Sequence, residues 1–184
     1  MELFPIPLIF GFIFAGASAF TTAYSRRFGE RGGTIVTAIL RNLLGIPLGV
    51  IGYVWAWMIP SQSVFTSNTI LTTLGWILIV VGAVPLLVGH LYVQMRSHFP
   101  SVKDTLVRHG LYAYVRHPIY AGVLLVLPGL VFLRPTLTVL FASIATVIWV
   151  LIQARLEEID LVQRIPEYED YMREVPRFIP RRRR

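Results

Sequence analysis

Polar side chains that could take part in chemistry cluster in two stretches of this sequence. Residues 94–120 read QMRSHFPSVKDTLVRHGLYAYVRHPIY, and residues 153–180 read QARLEEIDLVQRIPEYEDYMREVPRFIP. Tyrosine rings bind cations through their faces, and arginines and carboxylates recognise groups of opposite charge. The two stretches therefore predict a small polar cap that closes over a polar cofactor, above helices that hold an apolar substrate.

Metal and thiol chemistry is not expected. The chain has no cysteine, which excludes a disulfide, a thiolate ligand and a thiol nucleophile. Its four histidines are scattered without the H-E-x-x-H spacing of a metal site, and no glycine-rich nucleotide fingerprint is present. His90 lies inside an apolar segment, where it either makes an interhelical hydrogen bond or contacts a cofactor or substrate.

The elements that must position these residues are apolar helices. The chain has 184 residues, of which 55% are hydrophobic and 15% charged, well below the roughly 25% charged residues of soluble domains. Five segments approach the length of about 20 residues that a spanning helix needs. They are residues 4–23, 35–59, 69–94, 118–133 and 135–154. The composition thus predicts an all-α, multi-pass integral membrane protein with five transmembrane helices.

Basic residues fall in alternate loops, which predicts the orientation. Arginine or lysine occurs between the first and second segments, between the third and fourth, and after the fifth, whereas residues 60–68 carry no charge. By the positive-inside rule the N-terminus lies outside, and both polar stretches and the C-terminus face the cytoplasm. This topology accounts for the net charge of +7, so nucleic-acid binding is not expected.

Local signals refine the helices. Pro118 suits a first helical position, and Arg134 with Pro135 predicts a tight hairpin between the last two segments. Glycines at helical spacing predict close helix contacts. They are Gly45, Gly49 and Gly52 in the second segment and Gly75, Gly82 and Gly89 in the third. Arg41, near the cytoplasmic end of the second segment, is expected to extend to the lipid headgroups.

The motif LVRHGLYAYVRHPIYAG, followed later by EEIDL and VPRFIP, resembles the isoprenylcysteine carboxyl methyltransferase and phospholipid methyltransferase family. The likeness covers about residues 106–180. It implies an integral membrane enzyme that uses S-adenosylmethionine, with helices 1–3 in residues 1–95 and the methyltransferase core in residues 96–184. Cofactor contacts are implied for Thr105, Leu106, Val107, Gly110, Tyr112, His117, Pro118, Ile119, Tyr120 and Glu157.

The acceptor is less determined by the resemblance. Arg116, Arg155 and Glu158 are the expected catalytic residues, and His90, Gln153 and Arg155 are expected to contact a lipid-like or prenylated substrate. The carboxylate of an isoprenylcysteine would need an arginine to orient it and no base. A phospholipid amine would need Glu158 or His117 to accept a proton.

Two further function classes stay open at this stage. Sterol reductases contain a similar Arg-His-Pro-x-Tyr stretch but bind NADPH, in chains about twice as long. A membrane protein that binds lipids without catalysis would also fit the composition. Asp104 stands where the family often has histidine, and Gln153 where it tends to have arginine.

The predicted orientation can be tested with single thiols, because the chain contains no native cysteine. A membrane-impermeant maleimide applied to intact cells should label Ser67→Cys, in the uncharged loop, and should leave Lys103→Cys unlabelled until the cells are permeabilised. The reverse pattern would show that the polar stretches face outward.

Overall fold

The computed structural model describes residues 3–93 and 99–181. Gln94 to His98, the first residues of the first polar stretch, lie outside the described residues. The α-helices are α1 (Pro5–Ala17), α2 (Thr21–Ala38), α3 (Ile46–Met58), α4 (Thr69–Val93), α5 (Pro118–Leu133), α6 (Leu137–Arg164) and α7 (Tyr168–Glu174). A π-helical segment, Ile39–Gly45, joins α2 to α3, and a 3-10 turn, Gly110–Ala113, precedes α5. Apart from one isolated bridge, the described ranges contain no β-structure, which confirms the all-α prediction.

Within the described ranges, three helical stretches are long and apolar enough to cross a membrane. They are Thr21–Met58, Thr69–Val93 and Leu137–Arg164. The apolar helices α1 and α5 have 13 and 16 residues, fewer than the roughly 20 of an untilted span. Large apolar side chains such as Ile13, Leu43, Ile70 and Phe141 are exposed on these helices, as contact with lipid tails requires.

The first predicted segment is divided in the structure. Helix α1 ends at Ala17, and the Ser18 hydroxyl donates back to the carbonyl oxygen of Ala15 at 2.6 Å. Such a local bond satisfies a terminal carbonyl and competes with continuation of the helix. Within α2 the chain turns at Gly29, whose φ of 74° is readily accessible only to glycine. Helix then continues from Glu30 through the π-helical segment to Met58.

Glycines hold two antiparallel helix pairs together, as their spacing predicted. On α4, Gly75 and Gly82 face Gly129 and Gly122 of α5, and a Cβ at Gly82 would lie 2.7 Å from the carbonyl oxygen of Gly122. On the other pair, Gly45 and Gly52 are pressed against Ala15 and Leu8 of α1. Without side chains in the way, the backbones approach closely and gain van der Waals contact.

The packing of α5 differs from the predicted compact hairpin. A tight reversal does join α5 to α6 at residues 134–136, and the amide of Val64 donates to the carbonyl of Pro135 at 2.7 Å. Helix α5, however, packs mainly along α4, and α6 contacts both the α5 side and the α1/α3 pair. Because α3 barely contacts α4 or α5, a space stays open between the two glycine-packed pairs.

The glycine contacts predict a matched pair of substitutions. Gly82→Ala should destabilise the protein by about 1–3 kcal/mol, because its methyl group would overlap the Gly122 carbonyl. Gly49→Ala is the control, since a Cβ there meets nothing within 4 Å. Thermal unfolding in detergent should give a lower Tm for Gly82→Ala alone. Equal Tm values would contradict this account of the α4/α5 packing.

Candidate active site

The two polar stretches meet, as the sequence predicted. The amide of Arg116 donates to the carbonyl of Pro176 at 2.9 Å, and the amide of His117 donates to that of Arg177 at 3.0 Å. These bonds lay the C-terminal segment alongside the residues that precede α5. His117 is the N-cap of α5, and Pro118 follows at the first helical position, where no amide hydrogen is needed.

Glu158 is the fully buried centre of this contact. Its Oε1 accepts hydrogen bonds from Arg116 Nη2 at 2.9 Å and from Arg177 Nε at 3.0 Å, and it lies 3.2 Å from His117 Nε2. Arg116 also donates to the carbonyls of Met172 and Val175. A buried carboxylate needs such compensation, so this cluster fixes the positions of three segments at once.

Glu157, one residue earlier, points about 100° away around α6 and reaches a different set of donors. The Tyr120 hydroxyl donates to its Oε1 at 2.7 Å, Arg41 Nη2 at 2.8 Å and Gln153 Nε2 at 3.1 Å. Arg41 comes from the π-helical segment, and its Nε donates to the Ser18 hydroxyl at 3.3 Å. Helices α5 and α6, the break after α1 and the π-helical segment are thus linked at one point.

A third ionic cluster holds the loop before α5 over the helices. Arg164 Nη1 lies 3.0 Å from Asp104, its Nε lies 3.0 Å from Asp160, and it also donates to the Ser101 carbonyl. Asp160 in turn accepts the amide hydrogen of Thr22 at 2.8 Å. Asp104, the residue that departs from the family pattern, is therefore balanced by an arginine of this chain.

Tyrosines of the cap are neutral hydrogen-bond donors. Burial raises the pKa of Tyr171 to about 12, although Arg116 and Arg108 act in the opposite direction. Burial, followed by the negative charge of Glu157, also raises the pKa of Tyr112. The Tyr171 hydroxyl donates to the carbonyl of Tyr112 at 2.5 Å. These phenols stay protonated at physiological pH, so they can bind a ligand but cannot act as bases.

A cavity of about 510 Å³ occupies the open space between the helix pairs. At its polar end it is lined by Arg41, Asp104, Arg116, His117, Tyr120, Glu157, Asp160 and Arg164. One to three turns further along the helices the lining becomes apolar, with Leu8, Phe12, Val50, Leu86, Val123, Trp149 and Val150. The cavity is therefore polar at one end and apolar at the other.

Most of the predicted site residues line this cavity. They are His90, Thr105, Leu106, Val107, Tyr112, Arg116, His117, Ile119, Tyr120, Gln153 and Glu157. His90 Nδ1 is 2.8 Å from the Leu86 carbonyl, one turn earlier in its own helix. Gln153 is 1% exposed, and its side-chain oxygen has no hydrogen-bond partner among the described residues.

Three residues expected at the site have supporting positions instead. Gly110 has a φ of 60°, and a Cβ there would lie 2.1 Å from the Tyr92 ring, so glycine is required by the turn. Pro118 is fully buried as the first residue of α5. Glu158 lies behind His117 and outside the cavity lining, where its charge organises the cluster.

Arg41 lines the cavity, and Arg155 does not. Arg155 is exposed and absent from the lining, because two residues of helix rotate its side chain about 200° from Glu157. Arg41 does not extend to the headgroups as expected; its side chain is 18% exposed and paired with Glu157. The sequence offered one signal for this position, an arginine inside an apolar segment, which often marks function.

Comparison with known proteins agrees with the family resemblance of the motif. The pattern of the isoprenylcysteine carboxyl methyltransferase family matches residues 93–163. A methanethiol S-methyltransferase from Crocosphaera subtropica is 36% identical over 124 residues, covering 60% of this chain and 45% of that protein. The chain thus spans less than half the length of this relative. No solved structure matches it significantly.

The contrast between the two arginines is testable. Arg41→Ala would leave Glu157 without its cation and should lower stability by about 2–4 kcal/mol, near the cost of breaking a buried ion pair. Arg155→Ala, on the exposed face of the neighbouring helix, should change stability by less than about 0.5 kcal/mol. Thermal unfolding of both variants measures this. A larger loss for Arg155→Ala would contradict the geometry.

Proposed function

We propose that this chain is a member of the isoprenylcysteine carboxyl methyltransferase family and that it transfers the methyl group of S-adenosylmethionine to an apolar acceptor. The observation that carries the proposal is the divided cavity, with paired charges and tyrosines at one end and aliphatic and aromatic side chains at the other. The first candidate acceptor is a small thiol, and the second is the carboxylate of an isoprenylcysteine.

The residues present fit the proposed cofactor. The cavity of about 510 Å³ lies within the roughly 300–1,000 Å³ of sites for ligands of that size. The unpartnered oxygen of Gln153 would accept a hydrogen bond from the ammonium group or a ribose hydroxyl. Glu157 would attract the ammonium group, and the faces of Tyr112 and Tyr120 would stabilise the sulfonium.

Methyl transfer requires mainly that the protein aligns donor and acceptor and keeps water out of the site. When bound, S-adenosylmethionine supplies an electrophilic methyl group. The residues from Thr105 to Val107 would cover the polar end, held by the Arg164 cluster, and Ile119 would pack beside the reacting groups. Exclusion of water and alignment of donor and acceptor are the main rate contributions expected of such a site.

Charge balance favours a thiol over a carboxylate. Each arginine of the lining is paired with a carboxylate: Arg41 with Glu157, Arg116 with Glu158, and Arg164 with Asp104 and Asp160. Arg155, expected to orient a carboxylate, is exposed outside the cavity. An acceptor that enters without charge suits such a site better. The named activity of the relative, methylation of methanethiol on sulfur, agrees with this choice.

A prenylated carboxylate remains the second candidate because Arg41 lines the cavity and could exchange Glu157 for another carboxylate. The open space between the helix pairs would let a long chain extend into lipid. A phospholipid amine has less support, since its phosphate and ammonium groups would need charged partners, and every arginine and carboxylate of the described lining is paired with an opposite charge of this chain.

We also propose that α1 and α5 cross the membrane with the three longer stretches, with the N-terminus outside and the polar end of the cavity facing the cytoplasm. The distribution of basic residues supports this orientation, because Arg134 is the only basic residue in the two loops placed outside. Arg134 lies over the Trp57 ring at 5.9 Å and donates to the Ile59 carbonyl, at the end opposite the ionic clusters.

Calorimetry of the detergent-purified protein tests the cofactor, and a labelling assay tests the acceptor. S-adenosylmethionine and its demethylated product should bind, NADPH should not, and Glu157→Ala should weaken binding at least about tenfold by removing a charged contact. With labelled cofactor, methanethiol should be methylated faster than farnesylcysteine or a total lipid extract.

The outcomes separate the candidates. Binding of NADPH without S-adenosylmethionine would indicate a reductase, and binding of neither would favour a protein without this chemistry. Faster methylation of farnesylcysteine than of methanethiol would replace the first acceptor with the second. Arg155→Ala serves as the control for Glu157→Ala, since it lies on the same helix but is exposed.

A further inference from the structure

Two aromatic rings and a carboxylate hold the imidazole of His117 in one orientation. It is 7% exposed and stacks on the Tyr120 ring at 5.5 Å between centroids, with an angle of 17° between the planes. The Phe178 ring lies 6.0 Å away. On one edge, Nε2 is 3.2 Å from Glu158 Oε1. The imidazole therefore has little freedom to rotate or flip.

Glu158 determines which nitrogen carries the proton. A carboxylate that binds two arginines is ionised and can only accept hydrogen bonds, so Nε2 must be the donor in the His117–Glu158 contact. A neutral imidazole with a proton on Nε2 has a lone pair on Nδ1. The second nitrogen is thus available as a proton acceptor.

The lone pair on Nδ1 faces the cavity. Nδ1 is 4.0 Å from Glu157 Oε2, and both His117 and Glu157 line the cavity, whereas Glu158 does not. A base that points at the reacting site, with a carboxylate on its far nitrogen, is the arrangement that activates nucleophiles in hydrolases. Methylation of a carboxylate would have no use for it.

We propose that His117 accepts the proton of a thiol acceptor through Nδ1, with Glu158 as the positioning residue; this rests on the proposed function. The S–H proton passes to Nδ1 while the sulfur electron pair forms the new S–CH₃ bond and the CH₃–S⁺ bond of the sulfonium breaks. The products are a methyl thioether, the neutral demethylated cofactor and an imidazolium, which later releases its proton to water.

The surroundings suit a charge that moves onto the imidazole. An imidazolium would lie between the two carboxylates Glu157 and Glu158. Charged or titratable groups near His117 and these two carboxylates include Arg116, Tyr112 and Tyr120 on the stretch before and into α5, Arg177 on the C-terminal segment, Arg41 on the π-helical segment and Tyr168 on α7, and His90 on α4 lines the same cavity.

Other groups at the site are poorer bases. Glu157 already accepts hydrogen bonds from Tyr120, Arg41 and Gln153, all of which favour its charged form. Tyr112 is a neutral phenol, because burial raises its pKa. His90 donates through Nδ1 to the Leu86 carbonyl one turn earlier in its own helix, so a backbone carbonyl orients this ring.

The experiment compares two thiols in His117→Gln. The Gln amide can still donate to Glu158 but cannot accept a proton. An alkyl thiol, which is mostly protonated at the assay pH, should be methylated at least about 100-fold more slowly, the usual size of a general-base contribution. An acidic aryl thiol, which is already ionised, should be methylated within a few-fold of the wild-type rate. His109→Gln, an exposed histidine beside Tyr92, is the control and should match wild type with both thiols.

Equal losses with both thiols would overturn the base assignment while leaving thiol methylation intact, and a wild-type protein that methylates neither thiol would overturn both proposals. If His117→Gln does not bind the demethylated cofactor, the ¹⁵N measurement described next decides.

A second readout does not depend on activity. In ¹⁵N NMR of histidine-labelled protein, the signals that disappear in His117→Gln should show a proton on Nε2 and none on Nδ1 at the assay pH. A proton on Nδ1, whether in the other tautomer or in an imidazolium, would exclude His117 as the resting base.

Discussion

The burial of Glu158 is the constraint on which the rest of the site depends. An isolated carboxylate inside a protein is strongly disfavoured, and removing a partner from a buried pair costs about 3–5 kcal/mol. Arg116, Arg177 and His117 satisfy Glu158 together, and they come from residues about 40 positions before it and 19 after it. The cap can therefore fold only when both polar stretches are in place, and this orders the start of α5.

Close helix contacts create the cavity indirectly. Glycines bring α5 against α4 and α3 against α1, and the cavity lies between the two pairs. Helix α6 contacts both sides and carries Gln153 and Glu157 into the gap. The π-helical segment adds Arg41 from the opposite wall, in keeping with the frequent use of π-helical turns at functional sites.

Helix geometry gives the neighbouring residues Glu157 and Glu158 different roles. Consecutive residues on α6 diverge by about 100°, so Glu157 faces the cavity and Glu158 faces the cap. One carboxylate is available to a ligand, and the other maintains the arginines and the imidazole. In the proposed reaction the same division leaves a cationic cofactor near Glu157 and a proton acceptor near Glu158, with an apolar acceptor beyond them.

Composition and motif determined much of this protein by themselves. Apolar length predicted the helices, and glycine spacing predicted their contacts. Most of the residues that the Arg-His-Pro-x-Tyr motif and Glu157 indicated as site residues line the cavity, because these signals are local. Only the tertiary structure decided that Arg41 replaces Arg155, that Glu158 stands behind His117, and that α5 packs mainly on α4. Each of these depends on side-chain direction and on distances between segments far apart in the chain, which residue spacing does not encode.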